Sequence, residues 1–249
     1  MKHIAEQYHY IDKTSWQIAD QFILDSEKLT AISHSSPEKV KQVQKVKQVQ
    51  LDLCILAFHC IWNNQNIPLA QNILKQLIKE SDQSLYPFLY FLESKLHYFN
   101  GDYQLSLDCL EKSENNLTFD INSNIDYRKL LICIGSINET DPDNIEYAVM
   151  KAIISNDRGN NYNAIGEYDK AIDAFTHALN LQIESYSTMA HANIAYTCRC
   201  MGKSFKGKKM YLEASKHYHV AHSIANTVYK DESHPEVIAI RTALFSNAP

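Results

Sequence analysis

The sequence predicts an all-α solenoid built from helix-turn-helix repeats, and two observations support that prediction. Only 6 Gly and 6 Pro occur in 249 residues, whereas β-sheet architectures need many turns of these two residue types. Apolar residues also recur at helical spacing in paired segments along much of the chain, which is typical of repeat proteins. With 45% hydrophobic residues, the chain can bury a core, and the pattern predicts about 10 to 11 helices.

The N-terminal part of the chain begins with a predicted helix over Trp16–Leu29, where apolar residues follow the i, i+3/i+4, i+7 rule. A second helix is predicted to begin at Pro37, a residue favoured at the first helical position, and to run to Trp62. A third follows the turn Asn-Gln-Asn at residues 64–66. Its apolar positions are Ile67, Ala70, Leu74 and Leu77.

The middle of the chain contains another predicted helical pair, centred on the turn Gly101-Asp102-Tyr103. The stretch between Leu117 and Ile145 offers only one helix where a regular array needs two, so it is either a degenerate repeat or a hinge. The predicted organisation is therefore a helical region with degenerate repeats (residues 1–116), an irregular connection (117–144) and a C-terminal repeat region (145–249).

The clearest repeat lies between Ala152 and Ser185. Small residues at Gly159 and Ala171 would let two helices approach closely, and a glycine at Gly166 would permit a left-handed turn between them. Its small and aromatic positions are Gly159, Tyr162, Gly166, Tyr168, Ala171, Phe175 and Ala178.

These positions closely resemble the tetratricopeptide repeat (TPR), a family of helical hairpins that bind proteins and peptides. The proline common near the end of that repeat is Ile183 here. The segment Asp231–Val237 resembles the linker of the kinesin-light-chain subtype, and the resemblance implies that Pro235 starts a final capping helix. What it implies for function is a scaffold whose concave groove holds a protein or an extended peptide.

The repeat after Ser185 is predicted to use Gly202 as its turn glycine, followed by Tyr211, Ala214, Tyr218 and Ala221. That register requires about seven inserted residues at the turn, compared with a regular repeat. The insertion is rich in lysine and is either a solvated hairpin or a contact site for an acidic partner. Its basic residues are Lys203, Lys206, Lys208 and Lys209.

The resemblance implies that the first helix of each repeat lines the groove. The expected groove residues are Asn156, Asn160, Asn163, Asn193, Tyr196, Arg199, Trp62, Phe91, Lys95 and Tyr98. Asn160 and Asn193 match the two asparagines of the family's dicarboxylate clamp, but its basic positions are not basic here; one of them is Asn156. We expect binding of an extended peptide without recognition of its C-terminal carboxylate. In the alternative, the asparagines are solvated or join neighbouring helices.

Composition limits the other possibilities. A net charge of -5 gives no general attraction to nucleic acid, and no apolar run is long enough for membrane insertion. With no signal-peptide pattern, we expect a cytoplasmic protein. The six cysteines form no Cys-x-x-Cys pair, which favours reduced thiols over a disulfide framework.

Catalytic motifs are absent from the sequence, so we expect a binding protein and not an enzyme, with no cofactor and no metal. The best candidate metal ligands are His219 and His222, which share a helix face beside His217 but have few carboxylates nearby. Three rival functions remain: a peptide-sensing regulator that acts by protein contact, a secreted bacterial effector that binds host proteins, and a hydrolase that uses the His217 region.

Overall fold

The computed structural model describes residues 37–64, 66–81, 83–117 and 127–246. These residues form ten α-helices and one short 3-10 helix at Gln83–Leu85, and they contain no β-strand. The prediction of an all-α fold is confirmed. The helix predicted near Trp16 lies outside the described residues.

The helices follow one another with short connections in most places. In chain order they are α1 (Pro37–Trp62), α2 (Ile67–Glu80), α3 (Tyr86–Asn100), α4 (Tyr103–Asn116), α5 (Tyr127–Cys133), α6 (Glu146–Ala164), α7 (Tyr168–Ser185), α8 (Ala192–Gly207), α9 (Tyr211–Tyr229) and α10 (Pro235–Phe245). In the part of the chain covered by these helices, none is both long enough and apolar enough to cross a bilayer.

The chain divides into two compact units, Met1–Asp82 and Gln83–Pro249, a boundary well before the one predicted at residue 116. In the first unit α1 packs against α2. The turn between them contains Asn64 and Asn66 in left-handed backbone conformations, with φ of 51° and 52°. Asparagine tolerates this region better than most residues, so the turn forms here without glycine, as the sequence predicts.

The second unit consists of three helical hairpins, α3–α4, α6–α7 and α8–α9, followed by α10. Each hairpin also packs on the next one along the chain, through α4 against α6 and α7 against α8. The last helix, α10, packs on α9. Adjacent helices paired in this way form the arrangement expected of a helical-repeat solenoid.

A glycine on the first helix and an aromatic ring on the second recur in two hairpins. A Cβ atom on Gly159 would lie 2.7 Å from the Phe175 ring, and one on Gly202 would lie 2.6 Å from the Tyr218 ring. Both positions require glycine for the same reason: only a residue without a side chain lets the ring approach the helix so closely. Gly202 is thus the counterpart of Gly159, 43 positions later (202 − 159), and not of the turn residue Gly166.

This register corrects the predicted insertion between α8 and α9. The helix α8 continues through Ser204 and ends at Gly207. The left-handed turn is made by Lys209, with φ of 62°, in the place that Gly166, with φ of 83°, occupies between α6 and α7. No hairpin is inserted: the prediction went wrong because Gly202 was assigned to a turn, whereas its lack of a side chain serves helix packing.

Among the described residues of the irregular stretch between α4 and α6, 127–145 contain one helix, α5. Arg128 on α5 fastens the loop that follows, since its guanidinium donates to the carbonyl oxygens of Asp141 and Pro142 and pairs with Glu146 at 3.0 Å. Because α4 packs directly on α6, the stack continues past this stretch. The connection belongs to the same compact unit as its neighbours.

Candidate peptide-binding face

A continuous row of polar side chains links the first helices of the three hairpins and α10. We call it the polar row, and its members are Lys95, Asp157, Asn160, Tyr196, Arg199 and Glu236. Four of these residues were predicted from sequence to line the groove. The predicted set missed the two carboxylates, Asp157 and Glu236.

The row begins with an ion pair between α3 and α6. The Nζ atom of Lys95 lies 2.6 Å from Oδ1 of Asp157, and the two side chains are only 13% and 9% exposed. The same ammonium lies 5.3 Å from the centre of the Phe91 ring, a cation–π distance. Because this ion pair is so well shielded from water, removing either partner would leave an uncompensated buried charge.

The middle of the row joins α6 to α8 through a neutral contact. The Nδ2 atom of Asn160 donates to the Tyr196 hydroxyl at 2.8 Å and lies 3.4 Å from Oδ1 of Asp157. These contacts use the two amide hydrogens of Asn160. Its Oδ1 atom accepts no hydrogen bond from any described residue, so an acceptor remains available beside an ordered amide.

The row ends with a two-point ion pair between α8 and α10. The guanidinium of Arg199 lies 5.2 Å from the Tyr196 ring centre and donates through Nε to Oε1 of Glu236 at 2.6 Å, with Nη2 at 3.4 Å from Oε2. Two-point contacts of this kind are among the stronger polar contacts in proteins. The contact holds both charged side chains in fixed positions. Burial raises the pKa of Tyr196 well above its ordinary value, so the phenol beside Arg199 remains protonated.

The other predicted asparagines are engaged within the fold or buried. Asn156 is buried, with its Oδ1 atom 3.1 Å from the Thr197 hydroxyl. Asn193 donates through Nδ2 to the carbonyl of Ser136 and to the Tyr186 hydroxyl, both at 2.8 Å. Neither amide is therefore presented to a ligand. Of the two asparagines matched to the clamp, only Asn160 belongs to the polar row, and in the corrected register its counterpart on α8 is Lys203 (160 + 43).

Asn163 is also buried, and neither of its amide atoms has a hydrogen-bond partner among the described residues. Burying an unpaired amide is unfavourable. Because only 8% of Asn163 is exposed, it presents almost no surface to a peptide. Nothing in the arrangement explains why asparagine stands here.

The predicted aromatic residues differ in how much surface they offer. In the second unit Phe91 is buried at 2% exposure, whereas Phe99 is 54% exposed and packs edge-on against Tyr98. In the first unit Trp62 is 57% exposed and stacks on Phe58. Phe91 therefore contacts the Lys95 ammonium from within the core, and Phe99 offers the larger apolar surface on α3.

The four lysines assigned to the insertion occupy the end of α8 and the turn after it. Lys203 is exposed on α8, and Lys209 occupies the left-handed turn. Lys206 donates to the carbonyl and hydroxyl of Ser246, and Lys208 pairs with Asp169 on α7. They are not a solvated hairpin, although Lys203 and Lys209 still add positive charge at this end of α8.

Two histidine–tyrosine stacks lie where one hairpin ends and the next helix begins, at α7–α8 and at α9–α10, and the sequence analysis missed them. His191 stacks on Tyr186 and His234 on Tyr229, each with ring centres 3.6 Å apart. In both, Nδ1 accepts from the backbone N–H two residues later at 3.2 Å, which caps the following helix. The available signal was the spacing: both the tyrosines and the histidines are 43 positions apart (229 − 186 and 234 − 191).

No family model matches this chain, and neither does any curated protein. What the protein binds must therefore be inferred from its own side chains. The polar row brings together Lys95, Asn160, Tyr196 and Arg199 from the predicted groove and leaves out Asn156, Asn163 and Asn193. His219 and His222, the candidate metal ligands that the sequence offered, lie on α9, a helix that contributes no residue to the polar row.

Proposed function

We propose that this protein is a non-enzymatic scaffold of the TPR kind that binds an extended segment of another protein along α3, α6 and α8. The polar row is the observation that supports the proposal. Four helices contribute to it, and its side chains are held by one another and not by solvent alone. A surface ordered in this way loses little side-chain entropy when a ligand binds.

An extended peptide brings one N–H donor and one C=O acceptor per residue, and each must be paired when it leaves water. The open Oδ1 atom of Asn160 can accept from a peptide N–H. The Tyr196 hydroxyl and Asp157 set the orientation of this amide. A flipped amide would place its oxygen beside Oδ1 of Asp157, and two acceptors cannot form a hydrogen bond. Phe99 supplies an exposed apolar surface for a ligand side chain.

Charge along the row favours a peptide that does not depend on a free C-terminal carboxylate. Lys95 is paired with Asp157 and Arg199 with Glu236, so neither cation is available for a carboxylate unless an ion pair is broken. Lys203 on α8 is an exposed cation beyond the row. We therefore expect ligands with an internal recognition segment and an acidic side chain opposite the end of α8.

The decisive experiment compares two asparagine variants. Peptides selected on the full chain from a displayed random library would be titrated against wild type, Asn160→Ala and the control Asn226→Ala. Asn226 is exposed on α9, a second helix of its hairpin, and contacts His222. Removing a hydrogen bond that is desolvated in the complex costs about 1–3 kcal/mol, so Asn160→Ala should weaken binding by roughly 5- to 150-fold.

The control variant should bind like wild type, and amidating the peptide C-terminus should not change affinity. If Asn160→Ala and Asn226→Ala bind equally tightly, the peptide docks away from the polar row. If amidation abolishes binding, the ligand is held by its carboxylate, and the argument from the paired cations is wrong. Both results would contradict the proposed mode of binding while leaving the fold unaffected.

A further inference from the structure

The hairpin α3–α4 carries a cluster of three side chains that are typical metal ligands. Glu93 and His97 lie one turn apart on α3, and Cys109 faces them from α4. One ligand atom from each of these residues lies within 4.8 Å of the other two. The cluster is separate from the polar row, whose member on α3 is Lys95, and also from His217, His219 and His222.

We propose that Glu93, His97 and Cys109 bind a zinc ion that fastens α3 to α4. A thiolate sulfur, an imidazole nitrogen and a carboxylate oxygen are the three ligand types that zinc prefers in proteins. One carboxylate and one thiolate balance the two charges of the ion, so the occupied site is neutral. That balance suits a half-buried position, where a net charge would be unfavourable.

The spacing of the ligand atoms fits tetrahedral zinc. The Sγ atom of Cys109 lies 3.6 Å from Oε2 of Glu93. With Zn–S about 2.3 Å and Zn–O about 2.0–2.2 Å, a tetrahedral angle places the two atoms about 3.6 Å apart. The imidazole nitrogen needs about 3.3 to 3.6 Å to each of them. Rotation of the half-exposed side chains of Glu93 and His97 can bring it there.

Without a metal, one buried nitrogen of the cluster has no hydrogen-bond partner in the described part of the chain. The Cys109 thiol can donate weakly to Glu93, but Nδ1 of His97 is buried and has no hydrogen-bond partner among the described residues. Its nearest carboxylate oxygen, on Asp102, lies 3.9 Å away, too far for a hydrogen bond. Coordination of a zinc ion by Nδ1 would supply a partner for this buried nitrogen.

Three protein ligands leave one tetrahedral position for water. Glu93 and His97 are half-exposed while Cys109 is buried, so an ion can enter from the solvent side. On binding, the Cys109 thiol loses its proton to solvent and the Zn–S bond forms. Since the ligands come from both helices of one hairpin, binding should stabilise the folded hairpin over the unfolded chain.

The test uses Co²⁺ as a visible substitute for zinc. The full chain, kept reduced and free of any affinity tag, would be titrated with Co²⁺ and followed by the sulfur-to-cobalt charge-transfer band in the near ultraviolet. We expect a band that saturates at one equivalent and is displaced by Zn²⁺. Cys109→Ser should abolish it, and Glu93→Gln and His97→Gln should each weaken binding at least tenfold, roughly the loss that even outer-shell changes cause.

Matched controls separate this site from the other five thiols and from the C-terminal histidines. Cys133→Ser, at the end of α5, and His222→Gln, on α9, should leave both the band and the affinity unchanged. Zinc should raise the thermal midpoint of wild type and of both controls, but not that of Cys109→Ser, with folding of each variant checked by circular dichroism. Absence of a band in wild type would overturn the proposal. A band that survives Cys109→Ser and disappears in Cys133→Ser would also overturn it. Unchanged affinity in Glu93→Gln would do the same, because this substitution changes a half-exposed residue and the variant should fold.

Discussion

At the scale of single residues, His191 shows how one side chain can join two hairpins. Its ring stacks on Tyr186 at the end of α7, its Nδ1 atom accepts from the N–H of Asn193, and its Nε2 atom lies 3.4 Å from Oδ2 of Asp141. These contacts fix the tautomer, because Nδ1 must be without a proton to accept and Nε2 then carries one. The neutral ring is therefore the form that the fold uses.

The stability of the fold should depend on the protonation of His191. Burial lowers its pKa from the ordinary value and outweighs the opposing effect of Asp141. Because the unfolded chain then binds more protons, this contribution to stability is fully present above about pH 6.5 and is lost as the pH falls through the lowered pKa of the folded state. The thermal midpoint should fall between about pH 7 and pH 5 more steeply in wild type than in His191→Asn.

Asparagine is a good control at this position because it can still cap the helix but does not titrate. Burial also lowers the pKa of His59 and His217, so the His191→Asn variant should retain some of the slope. Equal slopes in the two proteins would mean that His191 does not couple folding to pH.

Sequence reasoning at this scale identified positions better than it identified partners. It placed Lys95, Asn160, Tyr196 and Arg199 on the first helices, because helical spacing decides which face a residue occupies. It could not foresee that Asn193 would bind Ser136, 57 positions away. Nor could it place Cys109 beside Glu93 and His97, since such contacts depend on how one helix packs against the next.

At the scale of helices and turns, the pair α8–α9 shows why a glycine can mislead. Gly166 and Gly202 look alike in sequence, yet the first has φ of 83° in a turn and the second is helical and packs under Tyr218. Only packing distinguishes the two uses. The turn itself is made by Lys209, a residue that offers no sequence signal for a left-handed conformation.

The left-handed conformation of Lys209 predicts an unusual effect of glycine. A non-glycine residue there is strained by about 1–2 kcal/mol. Glycine removes this strain but destabilises the fold by roughly 0.5–1 kcal/mol, because the unfolded chain gains conformational freedom. Lys209→Gly should therefore leave stability unchanged or raise it by up to about 1.5 kcal/mol. Urea unfolding measures the difference.

The neighbouring residue provides the control for that substitution. Lys208 has φ of -76°, in the right-handed region, so Lys208→Gly relieves no strain. It also removes the ion pair with Asp169, so it should be destabilising by at least roughly 0.5–1 kcal/mol. Both variants lose one lysine, which keeps net charge equal. If Lys209→Gly is the more destabilising of the two, the turn does not lie at Lys209 and the corrected register fails.

At the scale of the whole molecule, the second unit is connected mainly between neighbours. The hairpin α3–α4 packs on α6, the hairpin α6–α7 packs on α8, and α9 packs on α10. The polar row follows the same order, from Lys95 on α3 to Glu236 on α10. In such an arrangement the free energy of unfolding is approximately the sum of the contributions of each repeat and of its interfaces with adjacent repeats. The effect of a destabilising substitution at one end should therefore decrease along the chain.

Two equivalent core substitutions at opposite ends of the second unit test that expectation. Leu110 on α4 and Tyr218 on α9 are both almost fully buried, and each lies on the second helix of its own hairpin. Truncating either to alanine removes a large buried side chain, at about 2–5 kcal/mol. Tyr218→Ala should accelerate amide hydrogen exchange most in α8–α10, less in α6–α7 and least in α3–α4, and Leu110→Ala should produce the reverse gradient. Exchange that rises equally in all these helices for both variants would contradict nearest-neighbour coupling, because it would mean that residues 83–249 open as one cooperative unit.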